Sequence, residues 1–191
     1  GQTHSVEGYE SMTANNTLYN VETSVQETPT AAWTATGTEV GTYNVGIQPG
    51  DFANTNPNFT NVRFVIEDGA LKITPAEEQI VVRITGKTGS FTYDGTEKTV
   101  TGYDIAITDP NGLYTAANFA FTGSDTAKGT DVGAYAMGLK AEQFQNTNTN
   151  FDNEKVTFEV VQDGQLTISQ RPVTFTGETA TKVYNGEAQS I

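Results

Sequence analysis

Gly129-Thr130-Asp131-Val132-Gly133-Ala134-Tyr135 has a twin earlier in the chain, Gly37-Thr38-Glu39-Val40-Gly41-Thr42-Tyr43. In each, an acidic residue is followed by a small residue and then by a tyrosine that enters a β-prone run. A tyrosine so placed can fold its phenol back onto a backbone group at the turn, the corner device of immunoglobulin-like sandwiches. The stretch therefore predicts an all-β fold of two tandem immunoglobulin-like β-sandwich repeats, with Tyr43 and Tyr135 as the structural tyrosine corners. A β-grasp arrangement is the rival fold.

Outward from that stretch the whole chain reads as one module written twice. Gly1-Gln2-Thr3-His4-Ser5-Val6-Glu7-Gly8-Tyr9-Glu10 matches Gly95-Thr96-Glu97-Lys98-Thr99-Val100-Thr101-Gly102-Tyr103-Asp104. Phe52-Ala53-Asn54-Thr55-Asn56-Pro57-Asn58-Phe59 matches Phe144-Gln145-Asn146-Thr147-Asn148-Thr149-Asn150-Phe151. A third copy opens at Val183-Tyr184-Asn185-Gly186, the echo of Thr92-Tyr93-Asp94-Gly95. Copies opening at Gly1, Gly95 and Gly186 repeat at the size of a small domain, too long for a solenoid unit, so tandem beads are expected.

Strand signals dominate both copies. Val62, Phe64 and Ile66 alternate with polar neighbours, Asp68-Gly69 follows, and Leu71 and Ile73 alternate again. Val156, Phe158 and Val160 repeat this before Asp163-Gly164, Leu166 and Ile168. Each reads as a hairpin closed by a two-residue Asp-Gly turn with glycine at positive φ. Ile80, Val82 and Ile84 form a further alternating run, matched by Val173 and Phe175. Asp94-Gly95, Asn111-Gly112 and Asn185-Gly186 mark turns, a single helical turn fits near Ala141, and Pro75 opens a polar joint between beads.

Composition narrows the function. A net charge of −13 disfavours nucleic acid and anionic membranes as partners. No cysteine is present, so neither disulfides nor thiolate chemistry is available. No apolar run reaches spanning length, so no membrane insertion is expected of this chain. The single histidine, His4, aligns with Lys98 and pairs with no evident nucleophile, and short loops on a small β module leave little room for a substrate cleft. No enzymatic activity and no cofactor are expected.

The combination of Tyr93-Asp94-Gly95, Thr101-Gly102-Tyr103, the Val-Gly-x-Tyr motif and the Asp-Gly-x-Leu-x-Ile ending resembles bacterial cell-surface repeat modules of the MBG or "YDG" type. The resemblance covers nearly the whole chain through short motifs. It implies an extracellular, surface-displayed, adhesin-like protein and supplies no ligand.

Candidate sites follow from what the repeat does not explain. Tyr9/Tyr103, Tyr19/Tyr114, Tyr43/Tyr135, Phe52/Phe144, Phe59/Phe151 and Phe64/Phe158 recur at fixed offsets, and Tyr93 recurs as Tyr184, which is what a shared core imposes. Trp33 aligns with Asp125, so the common fold does not require it. It is the candidate contact for a host glycan or mucin, and partial burial is the ordinary alternative. An exposed Trp33 among Asn and Asp favours glycan binding, whereas a buried one favours a spacer or stalk presenting a distal binding region. The Asn-rich loops could offer oxygens to Ca²⁺ with Asp152 as the candidate ligand, but Asx turns explain them without metal.

The preferred frame places module 1 at residues 1–75, N-terminally truncated, module 2 at 76–170, and the start of module 3 at 171–191. A module short of strands leaves an open edge. Residues 171–191 are therefore expected to complete module 1 of a neighbouring chain, head to tail.

Overall fold

The computed structural model describes residues 1–191. The chain is all-β, in several small sheets, with one four-residue helix, Val21–Ser24, and three 3-10 turns. The first copy contributes β1 (His4–Glu7), β2 (Val25–Glu27), β3 (Thr34–Gly37), β4 (Gly41–Asn44), β5 (Phe52–Asn54) and β6 (Ala70–Ile73). They form the antiparallel pairs β1-β3, β2-β5 and β4-β6.

The second copy opens with β7 (Ile80–Gly86) and β8 (Thr88–Thr92), for which the first copy has no counterpart. Then come β9 (Lys98–Thr101), β10 (Tyr103–Thr108), β11 (Phe119–Phe121), β12 (Thr126–Gly129), β13 (Gly133–Ala136), β14 (Phe144–Asn146), β15 (Val156–Gln162) and β16 (Gln165–Ser169). The pairs β9-β12, β11-β14 and β13-β16 repeat those of the first copy. Their registers agree as well. Val6 faces Ala35 as Val100 faces Ala127, and Tyr43 faces Leu71 as Tyr135 faces Leu166.

The two additional strands do the rest. β7 lies between β10 and β15, and β8 pairs in parallel with the outer edge of β16. Ile80, Val82 and Ile84 on β7 are 0–1% exposed, as expected for a central strand with apolar side chains at alternate positions. In the first copy the segments answering to β10 and β15, residues 9–14 and 62–67, are not strands, and β6 pairs on one edge only. Ladder hydrogen bonds need a partner, and β7 is the partner that copy lacks.

By contacts the chain divides into two compact units. One comprises Gly1–Val82, Ile107–Ala120 and Gln145–Thr157, and the other Arg83–Ala106, Phe121–Phe144 and Phe158–Ile191. The first unit holds the first copy, with a core of Ala35, Val45, Ile47 and Phe52 flanked by Met12, Val25, Trp33, Tyr43, Phe64, Ile66 and Leu71. The second holds most of the second copy, where Ile84, Leu166 and Ile168 are almost fully buried.

Two expectations are corrected. Asp163-Gly164 does not close a hairpin, because β15 and β16 belong to different sheets. Gly164 does not adopt positive φ. Its missing side chain is required for another reason: a Cβ there would collide with the Met137 thioether. The Asp163 carboxylate accepts from the Gly138 and Leu139 N–H groups at 3.0 and 2.9 Å, so the pair makes a corner between sheets. Asp68 does the same for Gly46 and Ile47. The positive-φ turns sit instead at Gly95, Gly112 and Gly186, each behind Asp or Asn.

Second, not every recurrent aromatic is core. Tyr19, Tyr114, Phe52, Phe144 and Phe151 are buried, but Tyr9, Tyr93 and Tyr184 are exposed. Tyr184 lies in residues 171–191, which form no strand and are exposed throughout.

Candidate functional site

The corner tyrosines are fixed by backbone geometry. Each phenol donates to the carbonyl four residues upstream, Tyr43 to Glu39 and Tyr135 to Asp131, both at 3.0 Å. Their rings lie flat over Gly37 and Gly129, where any Cβ would overlap the ring. That contact explains why the glycine opening each motif recurs with the tyrosine.

Trp33 sits beside the core of the first copy. Its ring stacks on Phe52 at 5.3 Å and meets Tyr9 edge-on at 5.8 Å, while Phe52 continues to Phe64. The indole N–H donates to Asp51 Oδ2 at 3.0 Å. Asp51 is 3% exposed and also accepts from Gln48 N at 2.9 Å. Its carboxyl is held below the usual range, chiefly by the Gln48 N–H and next by the indole. Gln143, in the same place in the second copy, takes the Lys140 N–H at 2.8 Å.

The second copy builds the same aromatic group from different residues. Phe121 stacks on Phe144 at 4.6 Å, and Tyr103 meets both rings edge-on at 5.3 Å. Yet Phe121 is not the backbone equivalent of Trp33. The Gly8 N–H bonds to the Trp33 carbonyl as the Gly102 N–H bonds to that of Asp125, so Trp33 and Asp125 correspond. Thr28 N bonds to Asp51 O as Thr122 N bonds to Gln143 O, which makes Glu27 the equivalent of Phe121. Ring and carboxylate have therefore traded places between strand and loop. In both copies the carboxylate addresses the same phenol. Tyr9 donates to Glu27 Oε1, a bond that, ahead of burial, raises its pKa. Burial and then the Asp125 charge raise that of Tyr103. The fold does require a ring in this slot, and Trp33 supplies it half-buried. The alignment hinted at this only through an acid opposite Phe121.

A cleft of about 500 Å³ opens beside this group, lined by Tyr9, Met12, Val25 and the carboxylates of Glu10, Glu22 and Glu27, among others. Its rim carries acid and little apolar surface.

The Asn-rich loops spend their side chains on themselves. Asn54 accepts from Asn56 N and Tyr19 Oη and donates to the Phe59 carbonyl. Asn146 repeats this with Asn148 N, Tyr114 Oη and Phe151 O. Burial pushes the Tyr114 phenol up to about 12. Asp152, the candidate calcium ligand, accepts from Glu154 N at 2.9 Å, and no group of three or more acidic or histidine side chains gathers around it or elsewhere.

The second loop has a further role that its sequence did not signal. Asn150 Oδ1 accepts from Val40 N at 2.7 Å, and its amide donates to the Glu39 carboxylate. The Asn150 carbonyl accepts from Ala76 N at 2.8 Å, and Ala76 O accepts from Asp152 N at 3.2 Å, with Ala76 bridged in parallel to Phe151. Gln79 Nε2 donates to the Lys155 carbonyl at 2.9 Å and to Thr157 Oγ1 at 3.1 Å. One loop of the second copy thus grips both the tyrosine corner of the first and the joint that links them.

Residues 81–170 match the family model of the MBG domain. This meets the expectation raised by the motifs over the second copy. No curated protein and no solved structure matches the chain.

Proposed function

We propose that this chain is a non-catalytic spacer segment of a bacterial surface adhesin, whose tandem modules hold a distal binding region away from the cell. The observation that carries this reading is the bonded joint: Asn150 ties the corner at Glu39–Val40 to the linker at Ala76. A linker with both backbone groups of Ala76 engaged transmits orientation, whereas a free polar linker would not. The MBG match supports surface display, since such domains occur in surface-associated repeat proteins. The acidic surface suits a crowded, self-repelling filament.

Each module is read as an immunoglobulin-like β-sandwich. The two corner phenols support it, and a four-residue helix is too short to cross a sheet as a β-grasp helix does. Trp33 is spoken for by Phe52 and Asp51, which favours the spacer over a tryptophan-based glycan site. A second reading, weak glycan or mucin binding multiplied by tandem copies, draws support from the cleft at Tyr9 and Glu27.

A glycan and mucin array probed with the chain, Trp33→Ala and Tyr9→Ala separates the two. The spacer reading expects no binding by any of the three folded proteins. Binding lost in Tyr9→Ala or Trp33→Ala overturns it in favour of the adhesive module.

A further inference from the structure

Residues 171–191 and the first copy are complementary halves of one module. Aligned through Gly86 and Gly177, Val173 and Phe175 occupy the positions of Val82 and Ile84, and Tyr184-Asn185-Gly186 those of Tyr93-Asp94-Gly95. The segment thus repeats β7 and β8, the two strands for which the first copy has no counterpart. In the second copy Val82 and Ile84 are fully buried, while Val173 is 75% and Phe175 93% exposed. Val183 and Tyr184 are equally bare. Beyond Arg171, which donates to the Tyr93 carbonyl, the segment's recorded side-chain bonds are internal.

The acceptor is open at the matching places. Residues 9–14 and 62–67 of the first copy flank the position of β7 and form no strand, and β6 has one unpaired edge where β16 carries β8. An unpaired edge recruits a strand that fits its pattern, and a period-2 apolar run fits only in one register.

We propose that residues 171–185 of one copy of this chain insert into the first copy of a second molecule. Val173 and Phe175 enter between residues 9–14 and 62–67, and residues 179–183 lie parallel to β6. Transfer of the β8–β16 register places Thr181 opposite Lys72, as Ser90 stands opposite Thr167. Pro172 falls at the start of the donated strand, where a missing N–H is tolerated. Donation from each molecule to the next is heterologous and does not close, so it produces chains of molecules. It joins modules whether they carry a ligand site or only length.

The absence of cysteine makes a cross-link clean. The chain carrying Lys72→Cys and Thr181→Cys, both exposed positions, is oxidised at increasing concentration and read by denaturing electrophoresis without reductant. A ladder of covalent multimers is expected. Adding Val173→Asp and Phe175→Asp should abolish it, and these residues lie outside any core, so the folded part is untouched. A covalently closed monomer would overturn donation to a second molecule. No ladder, or a ladder undiminished by the two aspartates, would overturn the insertion itself.

Discussion

Trp33 and Phe121 leave the backbone at non-equivalent positions, yet each stacks on the same phenylalanine and touches the same tyrosine. The partner carboxylates Glu27 and Asp125 have moved the opposite way. Groups sharing one slot are energetically coupled. Glu27→Phe alone should crowd the ring slot, and Trp33→Asp alone should empty it. The double substitution recreates the second copy's arrangement and should be less destabilised than the sum by about 0.5–3 kcal/mol, read from urea midpoints. The sequence revealed that Trp33 faces Asp125 in the alignment but not where the ring goes, because a side chain reaches further than the offset between neighbouring strands.

Asp51 adds a pH dependence at the same scale. Its folded pKa lies below the unfolded value near 4, so the unfolded state binds the proton first. The stability it contributes is therefore fully present above that value and is lost as pH falls through the folded pKa. Acid titration of the emission of Trp33, the single tryptophan, should report this loss, and Asp51→Asn should flatten the dependence. An unchanged profile in Asp51→Asn would mean that the carboxylate is not what holds the indole.

At the scale of elements, the alternation of apolar residues predicted the strands well, and the turn chemistry misled about their pairing. Asp-Gly pairs at residues 68–69 and 163–164 look like hairpin turns because the same residues serve a corner between sheets. Only the long-range partners, the Gly138 and Leu139 amides, distinguish the two uses. Corresponding positions also differ in consequence according to whether their strand is paired. Ile84→Ala should cost about 2–5 kcal/mol by emptying a filled core position. Phe175→Ala, at the matching place in an unpaired segment, should stay within about 0.5 kcal/mol in dilute solution. Gly129→Ala pushes a methyl into the Tyr135 ring and should cost about 1–3 kcal/mol as overpacking, as Gly37→Ala should against Tyr43. Thermal or urea unfolding compares all four.

For the whole molecule, the repeat was legible from its motifs, and the MBG match over residues 81–170 agrees with them. The joint was legible only as polar and proline-containing, which suggested a plain linker at Pro75. Its bonds come from Asn150, a residue whose neighbours explain it equally well as a turn former. The spacer account stands on that joint being held, since length without fixed orientation would present nothing. Amide hydrogen exchange at Val40 and Ala76, in the chain and in Asn150→Ala, tests it most directly. Protection of both amides in the chain, with that of Val40 lost in the variant, is the predicted result. Exchange of both at free-peptide rates in the unaltered chain would contradict it.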